Sequence, residues 1–153
     1  VTVDEIRTVD HDIPAGMETD LGEHGCDRDE FPAIYRELVT PADIILICGP
    51  IWLGDQSSQT RKIIERLYAY SSEVNQAGQW AYYGKVGGAL TTGNDDGGKQ
   101  VSAQVLYALQ HIGLRSLPNQ TRIGRGKPVR APPTSIPPPA GSATHGPRAT
   151  RCS

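Results

Sequence analysis

The sequence predicts an α/β fold built on a doubly wound parallel sheet, and three observations carry that reading. A strand-length apolar run, a Gly-rich loop and an amphipathic run follow one another twice, over 43–69 and again over 85–113. The first of these runs, "DIILICG", is apolar without alternation, the pattern of a parallel strand covered by helices on both faces. The chain then changes character near residue 115, where helical and strand periodicity give way to Pro, Arg and Ser.

Taken in order, "VTVDEIRTVD" sets Val1, Val3 and Ile6 against polar neighbours and predicts a short strand that stops at "HDIPAG". Residues 14–25, rich in Gly and acid, read as a loop. In "DRDEFPAIYRELVTPAD", Phe31, Ile34, Tyr35 and Leu38 recur at helical spacing. Asp27 or Asp29 can cap that helix, Pro32 suits its first turn, and Thr40–Pro41 ends it. "DIILICG" follows as a strand in which Cys48 packs as a small apolar group. After the loop "CGPIWLGDQSS", Ser57 or Ser58 can accept from the first free N–H groups of a second helix. Its buried stripe is expected to be Ile63, Ile64, Leu67 and Tyr68, with Arg61 and Glu65 paired on the wet side. "KVGGALTTG" reads as a second strand whose glycines admit close approach, and "GNDDGG" as a turn. "KQVSAQVLYALQHIG" puts Val101, Val105, Leu106, Leu109 and Ile112 on one helical face and stops at Gly113, a left-handed cap.

Charge divides the chain in the same place. Residues 1–114 carry a net −9 and residues 115–153 a net +7, and the second part has no carboxylate and eight of the 12 prolines. Such a segment buries too little apolar surface to offset its ordering entropy. The domain is therefore expected over 1–117 and a disordered, basic, Pro-rich tail over 118–153. The dispersed basic residues, with no aromatic among them, argue against a nucleic-acid partner, while "PPTSIPPP" leaves a polyproline contact open. Cys26, Cys48 and Cys152 are odd in number with no C-x-x-C pair, which fits a reducing, cytoplasmic setting better than a disulfide framework. No apolar stretch reaches about 18 residues, so no membrane span is expected. His11, His24, His111 and His145 lack ligand spacing, and no metal site is expected.

In an open parallel sheet, ligands bind beyond the carboxyl ends of the strands. Both unusual loops fall there: Pro50, Ile51, Trp52, Leu53, Gly54 and Ser57 in one, Thr91 to Gly97 in the other. An aromatic in one loop can stack on a planar ring, while glycines in the other let backbone N–H groups reach the ring's polar edge. A flavin needs that combination. Trp52 can equally cover the sheet end as a half-buried aromatic, Asp95 and Asp96 can serve as turn formers, and Ser57 and Ser58 as caps.

"PADIILICGPIWLGDQSSQTRKIIERL" and "KVGGALTTGNDDGGKQVSAQVLYALQHIGL" resemble the two flavin-contacting βα units of the NADPH-dependent FMN reductase family, which has a flavodoxin-like fold. The resemblance implies FMN as cofactor and NADPH or NADH as reductant, with electrons passed to a flavin, quinone or similar small acceptor. It further implies that Pro50, Ile51, Trp52 and Gly54 wrap one side of FMN, that Trp52 contacts the ring, and that Thr92, Gly93 and Asn94 meet the isoalloxazine edge. The cofactor carries the hydride chemistry, so no catalytic side chain is assigned. Family members also carry a first strand and a Ser/Thr-rich phosphate loop ahead of the region matching Val1, so the sheet is expected to be incomplete over these residues. Dimers are common in the family, which leaves a homodimer open. The alternatives are an FMN electron carrier without pyridine-nucleotide activity, and a non-enzymatic module that binds through its basic Pro-rich tail.

Overall fold

A four-stranded sheet in the order β2-β1-β3-β4 organises the chain in a computed structural model that describes residues 1–94, 96–116 and 121–125. β1 (Ile44–Trp52) and β3 (Val86–Gly93) run parallel, with Ile44 opposite Val86 and Pro50 opposite Thr92. β4 (Thr121–Arg125) continues the sheet parallel to β3 and lies within the stretch expected to be tail. The rest of that stretch, 118–120 and 126–153, lies outside the described residues. β2 (Asp55–Gln56) folds back antiparallel on the end of β1, so the sheet is mixed around a parallel core.

Two helices cover one face of this sheet, α2 (Ser58–Ala69) and α3 (Gly98–His111). The strands meet them through glycines. A methyl group at Gly49 would lie 2.2 Å from Thr60 Oγ1, and one at Gly87 would lie 3.1 Å from Leu114 and 3.2 Å from Leu109. Val101, Val105, Leu109 and Ile112 are buried as their spacing predicts, and Gly113 takes φ +104 to end the helix. The stripe of α2 differs from expectation. Ile64 and Leu67 are buried, but Tyr68 is exposed and Arg66 is buried in its stead.

The opposite face corrects the expectation that β1 is covered on both sides. Ile44 and Leu46 are 58% and 61% exposed, and Cys48 and Leu90, side by side in register, are exposed too. α2 and α3 pack on the other face, and among the described residues Ile44, Leu46 and Cys48 on this one stand exposed. Between Ile44 and Pro50, the edge of β1 away from β3 pairs with no strand among the described residues.

Residues 1–7 form no strand, a second correction; a single 3₁₀ turn at Thr8–Asp10 follows, and Val1 and Val3 are exposed. Alternation assigns faces only where a neighbouring strand supplies the ladder, and no described strand runs beside this segment. α1 (Phe31–Ile34) does form, and continues as a π-helical turn over Tyr35–Val39. Asp29 Oδ1 accepts from Phe31 N at 3.0 Å, Pro32 sits in the first turn, and Thr40 N donates to Tyr35 O to close the last one.

Phe31, Tyr35, Tyr70 and Tyr82 join these helices into an aromatic cluster. Tyr35 and Tyr70 stack with centroids 3.7 Å apart, and Tyr82 meets Tyr35 edge-on at 6.3 Å. Tyr82 Oη donates to Leu67 O and Tyr70 Oη to Thr19 O, both at 2.6 Å. Burial pushes the Tyr70 phenol up to about 12, despite the nearby Arg66 cation. Arg66, fully buried, ties the Gly- and acid-rich loop down by donating to Glu18 O, Thr19 O and the Asp29 carboxylate, with Phe31 stacked 5.1 Å from its guanidinium.

Candidate functional site

The carboxyl end of β1 turns into a hairpin, with Ile51 opposite Gln56 and Trp52 opposite Asp55. Its two-residue tip, Leu53–Gly54, takes φ +53 and +76, the doubly left-handed turn whose twist matches a tight hairpin. For a residue with a Cβ that conformation costs about 1–2 kcal/mol, yet Leu53 adopts it at 97% exposure. Trp52 beside it is 59% exposed, so its ring is not a lid on the sheet end.

The loop after β3 arrives at the same rim. A Cβ on Gly93 would lie 2.9 Å from Ile51 Cβ, and one on Gly97, at φ +110, would lie 2.5 Å from Gly54 O. The two loops therefore touch backbone to backbone. α3 starts here with Gly97 as its cap residue and no side-chain cap, so its first N–H groups and the positive end of its dipole face the rim. Behind the loop, Thr91 Oγ1 and Ser102 Oγ are 3.1 Å apart, and Ser102 also donates to Gly98 O at 2.7 Å. Both side chains are buried, which pins the base of the loop to the first turn of α3.

Of the residues singled out from sequence, the structure brings Pro50, Trp52, Gly54, Thr92, Gly93 and Asn94 to one rim, with Trp52, Thr92 and Asn94 exposed. Ile51 belongs to the covered face and supports Gly93 from below. Ser57 is buried and caps α2, accepting from Thr60 N at 3.2 Å. Asp96 serves its turn, with Oδ1 accepting from Gly97 N at 2.8 Å, and Asp95 lies outside the described residues. Sequence reasoning missed the hairpin and the closeness of Gly97 to Gly54. A two-residue "LG" between Trp52 and Asp55 carried the signal, since Gly at the second position of a tight turn favours a hairpin.

These residues fit the ring end of a flavin. An exposed indole, a glycine loop at the same rim and a helix start without a side-chain cap supply a stacking face and donors for a negative edge. A groove of about 650 Å³ runs between α2 and α3, lined by Tyr68, Tyr107 and His111, and reaches Asp55 and Gln56 at the hairpin base.

The sequence profile of the NADPH-dependent FMN reductase family matches residues 1–127. The chain is 32% identical over 124 residues to the 8-demethyl-8-aminoriboflavin-5'-phosphate synthase of Streptomyces davaonensis, covering 78% of this chain and 48% of that protein. It is 54% identical over 124 residues to a Mycobacterium bovis protein named divalent metal cation transporter MntH, covering 81% of this chain and 18% of that protein. No described helix here is long and apolar enough to cross a membrane. Among solved structures, RosB with the bound intermediate 8-demethyl-8-formylriboflavin-5'-phosphate aligns at TM-score 0.66 and 30% identity, over 83% of this chain and 52% of that one. The chain thus spans about half the length of the flavin-processing relatives it matches.

Proposed function

Because this chain belongs to the NADPH-dependent FMN reductase family, we propose that it is the ring-binding part of a flavin-dependent oxidoreductase. The contact of Gly54 with Gly97, which sets the Trp52 hairpin and the Gly93 loop at one rim, carries this reading. Trp52 stacks on the isoalloxazine, with Pro50 and Gly54 shaping the hairpin around it and Ile51 holding the rim from beneath. Thr92, Gly93 and Asn94 present backbone and side-chain donors to the ring's polar edge. Leu53, apolar at the tip, shields the ring from water. The chemistry supplied by bound FMN is acceptance of a hydride from NADPH or NADH and delivery of electrons to a small acceptor such as a flavin or quinone. No proton needs to be held by a side chain at the rim, and no catalytic residue is assigned. The setting we propose is cytoplasmic, with neither membrane nor nucleic acid as partner.

Titration of the 153-residue chain with FMN tests the site. Flavin fluorescence should be quenched on binding, and Trp52→Ala should raise the Kd about tenfold, the effect of about 1.4 kcal/mol of lost stacking. Absence of quenching with the unaltered chain would overturn the flavin site. Anaerobic addition of NADPH should then bleach the flavin band near roughly 450 nm; bound FMN that stays unbleached would make the protein an electron carrier instead.

A further inference from the structure

We propose that the groove between α2 and α3 is a second binding site, for a small organic ammonium ion: a protonated primary amine carried on an aromatic body. Both helices start at the rim, α2 at Ser58 and α3 at Gly98, so the groove runs from the hairpin base towards their last turns. Its two ends differ in chemistry. Asp55, Gln56 and Arg61 line the end near the hairpin, and Tyr68, Tyr107 and His111 line the other. Arg61 and Tyr68 stand two turns of α2 apart, about 10 Å along its axis. The volume, about 650 Å³, is that of a small-molecule site.

The far end is an aromatic wall. The rings of Tyr68 and Tyr107 lie 6.0 and 6.2 Å from that of His111, and buried Ile64 and Ile112 line the groove beside them. Such a wall receives an apolar ring, and its π faces attract a cation. The hairpin end offers acceptors. Arg61 Nε donates to Glu65 Oε1 at 3.0 Å, so the one guanidinium here is already paired. Asp55 has no cationic partner among the described residues, and its Oδ1 accepts from Gln56 N at 2.7 Å. Gln56 Oε1 is buried with no hydrogen-bond partner among the described residues. An orphaned acceptor gains by turning to a donor, and a carboxylate beside it makes the fitting donor a positively charged N–H group. A quaternary ammonium lacks that N–H, and a phosphate or carboxylate would meet Asp55 and Glu65 as like charges. A second copy of this chain is the poorer occupant for the same reason, since two-fold pairing of the grooves sets these carboxylates against their equivalents. None of the residues assigned to the flavin ring lines the groove, so the two sites stand or fall separately.

The test titrates the 153-residue chain, without FMN, with phenylbutylammonium near neutral pH and follows it by NMR. Resonances of Gln56, Tyr68 and Tyr107 should shift and saturate, with a Kd of about 1 mM or tighter. Phenylbutanol, the same body without the charge, should bind at least about tenfold more weakly. Asp55→Asn keeps an oxygen that accepts from Gln56 N, so it should weaken the ammonium about tenfold and leave the alcohol unchanged. Tyr107→Ala, at a position 70% exposed, leaves the fold intact and should weaken both ligands. No saturation, equal affinity for amine and alcohol, indifference to either substitution, or shifts confined to another surface overturns the proposal. Shifts at Tyr68 and Tyr107 that grow with protein concentration and do not respond to the amine also overturn it, and assign the groove to self-association.

Discussion

At the scale of single residues, the site depends on glycines for two separable reasons. Gly97 has a left-handed backbone and a neighbour, Gly54 O, that a Cβ would meet at 2.5 Å. Gly78 has φ +73 with nothing within 4 Å. Gly78→Ala should therefore cost only the backbone term, about 1–2 kcal/mol. Gly97→Ala should cost that and the displacement of the hairpin, and should alone weaken FMN binding. Paired thermal melts and FMN titrations check this; equal losses in both variants would mean that the contact between the loops bears no weight. Leu53 shows the reverse case, a side chain kept where glycine would sit without strain.

At the scale of elements, the loop over 14–25 is held by α2 and not by its own conformation. Arg66 donates to Glu18 O, Thr19 O and Asp29, whose carboxylate also accepts from Leu21 N and Phe31 N. Arg66→Met would leave Asp29 buried without its cation, a change that costs about 3–5 kcal/mol. Urea unfolding should show that loss, and limited proteolysis should cut the loop over 14–25 first. A variant as stable as the parent would contradict the role given to the pair. Nothing in the sequence pointed to it. The partners of Arg66 lie 37 to 48 residues away, and a basic residue on a helix next to Glu65 reads as solvated surface. The two βα units were legible for the opposite reason: helical period, caps and glycine turns are local, and their signals sit within a few residues of one another.

At the scale of the whole molecule, two pH effects oppose each other. Residues 1–114 carry a net −9 near neutrality, and that self-repulsion fades on acidification. Glu30 works the other way. Its hydrogen bond with His11, 3.0 Å away, chiefly holds its carboxyl below the ordinary 4.5, with help from Asp12 N and Arg28. A depressed carboxyl contributes stability above about 4.5 that disappears as pH falls through its lowered value. Glu30→Gln should therefore melt lower than the parent at pH 7, with the gap closing below about 4.5; a gap constant with pH would exclude this linkage. The expected strand at residues 1–10 and the expected second cover on β1 failed together, and for one reason. Both required a neighbour, and sequence periodicity states what a strand can pair with without supplying the partner.

The meeting of Gly54 and Gly97 has a consequence for how this rim can change. The gap between the loops is a main-chain dimension, set where one backbone rests against the other and indifferent to the side chains around it. Exchanges at the exposed Asn94 can then change the polarity of the opening while its width stays constant, whereas Asp96, bonded to Gly97 N, cannot be exchanged so freely.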